Sequence, residues 1–257
     1  MLRAILFTIL AARKTTRFMT YGICNLSAIA LRKEARHASE MVSQLLYNET
    51  YTVLDQTREW ILIQTDFDHY EGWIQAKQFH EISETEFLAL KTRKVYLTAK
   101  PIVGHEGKLL SLGTPLYGPH PDAVDMPQEF HPEMMVDYAK MLLGAPYLWG
   151  GRTAFGIDCS GLVQVCARLA GLVLPRDASQ QIECGELVYF LQETQPGDLA
   201  FFGEENGPII HVGIVTGDEQ IIHCSGQVRI DFLDQTGIFN KEKNEHTHLL
   251  KLVKRLK

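Results

Sequence analysis

Apolar and polar positions alternate along the first half of the chain, and polar turns interrupt the alternation every few residues. The segments that carry this pattern between residues 21 and 80 are GICNLSAIALRK, MVSQLLYNETYTVLDQ, EWILIQTD and YEGWIQAKQF. A period of two is typical of half-buried strands, and short strands separated by turns favour a small antiparallel barrel. The pattern therefore predicts a β-barrel domain over residues 21–80.

Two stretches in the second half have apolar residues at helical spacing. Pro132–Leu143 begins with proline and is followed by Gly144, as a short amphipathic helix would be. In Phe155–Val173, apolar residues recur every three or four positions after Cys159. Asp158 is a suitable N-cap for this second helix, which is predicted to begin at Cys159.

The remaining segments divide the chain. Residues 81–130 contain a short helix or turn and further extended pieces, which indicates either a linker or a reduced second barrel. The proline-rich stretch Pro115–Pro132 marks a boundary, because proline continues neither a helix nor a strand ladder. Residues 131–257 then form a second domain. Residues 1–20 are interpreted as a leader or a mis-assigned start, and their apolar run is too short to span a bilayer.

Composition narrows the classes of partner. The chain has 257 residues, 46% hydrophobic and 22% charged, with a net charge of -6. It has no strongly basic stripe, so we expect no nucleic-acid partner. The five cysteines are odd in number and form no CxxC pair, which argues against a disulfide framework and a zinc site. We expect a monomer without metal or cofactor, in the cytoplasm unless residues 1–20 are an export signal.

One cysteine lies where thiol chemistry would place it. Cys159 is predicted at a helix N-terminus, where unpaired backbone N–H groups and the positive end of the helix dipole favour the thiolate. The alternative is a small buried side chain, since free cysteine is often buried. Two later histidines favour the reactive interpretation.

His211 and His223 lie in two successive predicted strands, IIHVGIV and EQIIHC. A three-residue loop at Thr216–Asp218 would set the two residues opposite each other on one sheet face, whereas a two-residue loop would place them on opposite faces. We therefore predict the three-residue loop. His211 would accept the thiol proton, and His223 would orient His211.

Motifs in a fixed order give a resemblance to a known family. These are Asp158-Cys159-Ser160-Gly161, QPGDLAFF at 195–202, His211-Val212-Gly213-Ile214 and Ile222-His223. They resemble the NlpC/p60 family of papain-like cell-wall cysteine peptidases, and YEGWI at 70–74 resembles the closing strands of bacterial SH3 domains. The resemblance implies an α+β fold, with a papain-like catalytic domain preceded by an SH3-like barrel. It also implies cysteine-dependent hydrolysis of amide bonds in peptidoglycan stem peptides.

The same resemblance suggests a subclass, the γ-D-glutamyl-L-diamino acid endopeptidases that act on diaminopimelate-type peptides with a free N-terminal L-alanine. The implied substrate-binding residues are Asp158, Tyr147, Trp149, Ser179, Arg176, Glu49, Tyr70 and Ser160. Carboxylates would hold the free ammonium through charge-assisted hydrogen bonds, here Asp158 and Glu49. Specificity for loose peptides over the acylated wall polymer would follow.

Each assignment has a plainer alternative. Asp158 could act only as a helix cap, Glu49 and Arg176 could be solvated surface charges, and Trp149 and Tyr70 could be interdomain core. For the whole chain, the rival hypotheses are a thiol-dependent amidase or acyltransferase with another substrate, and a non-catalytic module that binds cell-wall peptides.

Overall fold

The structure is a computed structural model that describes residues 19–257. The predicted leader or mis-assigned start covers residues 1–20, of which residues 1–18 lie outside the described residues. Among residues 19–257, no helix combines the length and the apolar composition needed to cross a bilayer.

The N-terminal domain is the predicted antiparallel barrel. Its strands are β1 (Thr20–Ile23), β2 (Ala28–Arg32), β3 (Met41–Leu46), β4 (Thr50–Gln56), β5 (Trp60–Thr65), β6 (Glu71–Gln75) and β7 (Glu81–Ile82). They pair in the order β3-β2-β6-β5-β4-β1-β7. The inward residues of the alternating pattern form a closed apolar core that includes Ile29, Leu31, Leu45, Ile63 and Ile74.

The connecting region is folded. After a 3₁₀ turn at Ala76–Gln78 come α1 (Glu84–Lys91), β8 (Tyr96–Thr98), β9 (Ile102–His105), β10 (Lys108–Leu110), β11 (Pro115–Leu116) and β12 (Ala123–Asp125). β9 and β10 form a hairpin, and β11-β8-β12 form a small sheet. Leu97 packs into the core of the second domain, whereas Leu110 and Leu116 pack with Tyr47 of the barrel. The region therefore joins the two domains through side chains as well as through the backbone.

The second domain has the predicted α+β architecture. Its helices are α2 (Pro132–Met141), α3 (Cys159–Leu169) and α4 (Ala178–Gln181), and a 3₁₀ turn lies at Leu191–Glu193. Its strands are β13 (Arg152–Thr153), β14 (Gly156–Ile157), β15 (Glu186–Val188), β16 (Leu199–Phe202), β17 (His211–Gly217), β18 (Gln220–Ser225), β19 (Gln227–Leu233), β20 (Gly237–Asn240) and β21 (Glu245–Arg255).

One antiparallel sheet organises this domain, in the order β15-β21-β16-β17-β18-β19-β20. Helices α2 and α3 pack against β17 and β18. Apolar residues of both helices and both strands share one core, including Met135, Leu162, Val212 and Ile222. The N-terminus of α3 is thereby fixed against the start of β17.

The hairpin between β17 and β18 differs from the prediction. Its turn has two residues, Asp218 and Glu219, and both have positive φ, as a type I′ turn requires. The predicted three-residue loop and direct pairing of His211 with His223 are therefore wrong. A bulge at Thr216 adds one residue to β17, and His223 pairs with Gly213. Because His211 is two residues from Gly213, both histidines still share one face.

Candidate active site

Cys159 begins α3, as predicted, and Asp158 is the N-cap. Asp158 Oδ1 accepts the backbone N–H of Gly161 at 2.7 Å, and Oδ2 accepts that of Gly150 at 2.8 Å. A side chain at position 161 would collide with the carbonyl of Gly151. The small residues on both sides of the cysteine therefore let the loop close tightly around the Asp158 carboxylate.

Cys159 is only 7% exposed, and its thiol lies close to the backbone N–H of Val212 on β17. Burial, with a smaller contribution from Asp158, raises its pKa to about 11, although backbone N–H groups of Val212 and Ser160 act in the opposite direction. The expectation that the helix terminus favours the thiolate is therefore wrong, because burial raises the pKa of Cys159 more than the backbone N–H groups lower it. Desolvation outweighs the helix dipole, so the group is a neutral thiol near pH 7.

Two histidines and a carboxylate form a line of hydrogen bonds that begins at His211. His211 is next to Val212, and its Nε2 lies 2.9 Å from Nδ1 of His223. His223 Nε2 lies 2.9 Å from Oδ2 of Asp231 on β19. The two histidines and Asp231 are 5%, 1% and 7% exposed. A line of hydrogen bonds therefore runs through the interior, away from the thiol.

Burial and the neighbouring imidazoles hold the pKa of His211 well below its usual value, so this side chain is neutral near pH 7. The ring of His248, on β21, stacks on His211 with centroids 4.2 Å apart and an angle of 26°. A neutral imidazole can accept a proton from a neutral thiol when a substrate arrives, and Val212, the residue after His211, has its backbone N–H close to the Cys159 thiol.

In the described part of the chain, one group of three potential metal ligands lies together. One ring nitrogen from each of His211, His223 and His248 is within 4.8 Å of the other two. However, His211 and His248 are stacked face to face, and His211 is hydrogen-bonded to His223. Stacked rings direct their lone pairs side by side, so the arrangement resembles a hydrogen-bonded relay more than a coordination site.

A cleft of about 670 Å³ opens beside Cys159 between the two domains. The structure brings seven of the eight predicted substrate-binding residues to its lining: Tyr70, Tyr147, Trp149, Asp158, Ser160, Arg176 and Ser179. Lys33, Glu40 and Val42 also line it from the barrel. Trp149 is 57% exposed, so it forms a wall of the cleft and not an interdomain core.

Arg176 is not a solvated charge, because only 1% of its surface is exposed. Its two terminal nitrogens donate to the two oxygens of Asp158, at 3.0 and 2.6 Å. It also donates to Ser160 Oγ at 2.8 Å and to Ser43 Oγ of the barrel at 3.3 Å. Arg176 therefore connects the cap of the cysteine helix to the barrel, and it leaves the Asp158 carboxylate little capacity for another cation.

The prediction that Glu49 closes the pocket is wrong. Its carboxylate is buried in the domain interface, where it accepts hydrogen bonds from Arg152 at 2.9 and 3.1 Å and from Arg168 at 2.8 Å. It also accepts the backbone N–H of Leu46 at 2.9 Å. The guanidinium of Arg168 stacks on Phe67. Glu49 thus joins the domains at a distance from the cleft lining.

Comparisons with known proteins agree with this geometry. Residues 144–246 match the NlpC/P60 family, and residues 31–79 match the bacterial dipeptidyl-peptidase SH3 domain. The chain therefore contains an NlpC/P60 domain preceded by a bacterial SH3 domain. It is 29% identical over 212 residues to the gamma-D-glutamyl-L-lysine dipeptidyl-peptidase of Bacillus subtilis (strain 168), covering 70% of this chain and 71% of that protein.

A protein of Bacillus cereus (strain ATCC 10987 / NRS 248) with the same name is 25% identical over 228 residues, covering 73% of this chain and 68% of that protein. The crystal structure of an NlpC/P60 family protein from Bacillus cereus ATCC 10987 superposes with a TM-score of 0.76 at 21% identity. It covers 91% of this chain and 99% of that chain, which supports the two-domain fold.

Sequence reasoning missed two groups of residues in this NlpC/P60 protein. Asp231 could have been found, because VRIDFL alternates and places Arg229 and Asp231 on one face of a strand that follows His223. The register confirms that His223 pairs with Arg229. Glu40 carries no comparable signal, since the docking of the SH3 domain brings it to the cleft, whereas Asp177 lies between the predicted pocket residues Arg176 and Ser179.

Proposed function

We propose that the protein is a cysteine endopeptidase that hydrolyses the bond between γ-D-glutamate and the L-diamino acid of peptidoglycan stem peptides. We further propose that it requires a free N-terminal L-alanine. The observation that carries this proposal is the position of Cys159. It lines a cleft with Glu40 and Glu71 of the SH3 domain, and its thiol lies close to the N–H of Val212, the residue after the hydrogen-bonded His211. The names of the two Bacillus relatives support the same bond type.

In the first step, His211 accepts the thiol proton as the Cys159 sulfur attacks the γ-glutamyl carbonyl carbon. The N–H of Cys159 is at the first turn of its helix, among groups without an intrahelical acceptor, and can donate to the developing oxyanion. Tyr147 lines the cleft beside the thiol, and burial raises its pKa to about 12. Its hydroxyl therefore stays protonated and can donate as well.

In the second step, the His211 imidazolium gives its proton to the departing amine of the diamino acid, and a thioester remains on Cys159. Water then attacks the thioester carbonyl while His211 accepts a proton from that water. The C–S bond breaks, and His211 returns the proton to the sulfur, which restores the Cys159 thiol. The products are L-Ala-D-Glu and a peptide or amino acid with a new amino terminus.

For the ammonium of the substrate, we propose Asp177 and Glu40 in the role first given to Glu49. Both oxygens of Asp177 accept the Tyr70 hydroxyl, at 3.2 and 3.3 Å, and Glu40 Oε1 accepts the Trp149 indole N–H at 2.7 Å. Unlike Asp158, neither is held by a bidentate arginine. An acylated nitrogen carries no charge for these groups to bind, which favours loose peptides over intact wall.

The test is product analysis by mass spectrometry with L-Ala-γ-D-Glu-L-Lys, the corresponding diaminopimelate peptide and their N-acetylated analogues. We expect release of L-Ala-D-Glu from the free peptides only, and no release by Cys159→Ala. Equal cleavage of free and acetylated peptides would exclude a pocket that binds the free ammonium group. Transfer of the acyl group to an added amine, without hydrolysis, would indicate an acyltransferase. Binding without either reaction would indicate a peptide-binding module.

A further inference from the structure

The line of hydrogen bonds through His211 and His223 ends at a buried carboxylate, that of Asp231. Asp231 lies on β19, diagonal to His223, and accepts from His223 Nε2 at 2.9 Å. It is 7% exposed, and a buried carboxylate needs hydrogen-bond partners, which His223 and Arg229 supply. Its position at the end of the His211–His223 line indicates that it acts on these two histidines.

When both imidazole rings are neutral, only one placement of their hydrogens satisfies every hydrogen bond along the line. An ionised carboxylate only accepts hydrogen bonds, so His223 Nε2 must carry the hydrogen. His223 Nδ1 then holds a lone pair and accepts from His211 Nε2, at 2.9 Å. His211 Nδ1 is left unprotonated. We propose that Asp231 is a positioning residue that sets the tautomers of both histidines, so that His211 presents a basic Nδ1 to Cys159.

Arg229 keeps Asp231 ionised and in place. Its Nε donates to Oδ2 at 2.7 Å, and its Nη2 donates to Oδ1 at 3.0 Å. Burial opposes ionisation of Asp231, but the hydrogen bonds from His223 and Arg229 outweigh it and hold the pKa of this carboxyl below its usual value. The carboxylate is thus a fixed acceptor over the pH range in which a histidine titrates.

The assignment also bears on the reaction, and here it depends on the proposed thiol peptidase activity. When the S–H bond of Cys159 breaks and a proton joins His211 Nδ1, the positive charge forms beside His223. The Asp231 carboxylate at the far end then stabilises that charge through the shared hydrogen bonds. Without the Asp231 carboxylate, His223 could carry its hydrogen on Nδ1 and donate it to His211 Nε2. His211 would then carry its own hydrogen on Nδ1, toward the thiol.

The same sheet offers a matched control. Asp234 accepts from His246 Nε2 at 2.8 Å, but the Asp234 side chain is 52% exposed and the His246 side chain 30% exposed. Asp234→Asn removes one carboxylate from an aspartate–histidine pair, as Asp231→Asn does, without touching the buried line. Any effect of lost charge on the domain as a whole is therefore subtracted.

The experiment compares the full chain with Asp231→Asn and Asp234→Asn. We expect Asp231→Asn to lower kcat by about 10- to 100-fold with KM within about twofold, and Asp234→Asn to leave both unchanged. The acid limb of the kcat profile should move to lower pH by about one unit in Asp231→Asn, because an anion that favours the imidazolium has gone. A loss of fold would not move that limb. Equal kinetics and equal pH limbs in the two variants would overturn the proposal.

A second measurement needs no substrate and no variant. ¹⁵N NMR of the histidine side chains distinguishes the two neutral tautomers. We expect Nε2–H for both His211 and His223 in the wild-type protein at neutral pH. Nδ1–H on His211 would overturn the proposal whatever the kinetics show. If no peptide is cleaved but both tautomers are as expected, the proposed function fails and the role of Asp231 stands.

Discussion

The two ends of the candidate site differ in their contact with water. The end that contains His211, His223 and Asp231 is nearly dry, with every side chain at most 7% exposed. At the other end, Trp149 is 57% exposed and Glu40 and Ser179 also face solvent. Proton transfer benefits from fixed geometry and a low dielectric constant, whereas a substrate must enter and leave. We call the end with the two histidines and Asp231 the dry end, and the end with Trp149, Glu40 and Ser179 the wet end. Substitutions at the dry end are expected to change kcat, and those at the wet end to change KM.

The largest effect is expected at the dry end. His211→Ala removes the proposed proton acceptor, so kcat should fall by about 10³-fold with little change in KM. Steady-state kinetics on the free tripeptide will measure it. His246→Ala, which removes an exposed histidine from the same domain, is the control. A change confined to KM would contradict the proposed division of the site.

The dry end also predicts how the thiol reacts in the absence of substrate. Because burial raises the pKa of Cys159 to about 11, its alkylation rate should rise about tenfold per pH unit, hence about 100-fold between pH 7 and pH 9. Iodoacetamide labelling with peptide mapping measures this rate, and Cys159→Ala accounts for the other thiols. A rate already constant from pH 5 upward would show a thiolate–imidazolium pair instead.

At the wet end, Glu40→Gln removes a charge but keeps an acceptor for the Trp149 indole. KM for the free-amine peptide should rise about tenfold, since one charge-assisted hydrogen bond is lost, and kcat should stay the same. Glu34→Gln is the control, because Glu34 pairs with Arg36 outside the cleft lining. Equal KM values for the two variants would exclude Glu40 from ammonium binding.

The smallest effect is expected from Tyr70→Phe. The lost hydroxyl donates to Asp177 at 3.2 and 3.3 Å, and a neutral donor of this kind contributes about 1 kcal/mol, or about fivefold in KM. Calorimetric binding of the tripeptide to Cys159→Ala with and without Tyr70→Phe measures the same difference without turnover. A much larger loss would assign Tyr70 to the chemical step.

How far the sequence predicted each end follows from the range of the interactions. Cys159, its cap and both histidines depend on a helix start and one hairpin, which local patterns report. The register was mispredicted because a bulge at Thr216 leaves no mark in an alternating strand. The barrel side of the cleft depends on which barrel loop faces the second domain, and that is decided by contacts between residues more than 100 positions apart, such as Trp149 with Glu40.

The same limit explains the exchange of roles between two acidic residues. Glu49 and Asp158 are both buried carboxylates bound by arginine, and each accepts at least one backbone N–H. The resemblance to the NlpC/p60 family implies both for the pocket, and nothing in the sequence reveals the arginines that bind them. Only the fold shows that Arg152 and Arg168 neutralise Glu49 inside the interface, while Glu40 and Asp177 line the cleft.

The pairing of β17 with β18 limits where this hairpin can change length in related sequences. Strand faces alternate with every residue, so a single insertion or deletion within either strand would send one imidazole to the far side of the sheet unless a bulge took it up. The extra residue at Thr216 is taken up by such a bulge. Relatives that keep both histidines should therefore vary in length at the turn, or gain and lose a strand residue together with a bulge.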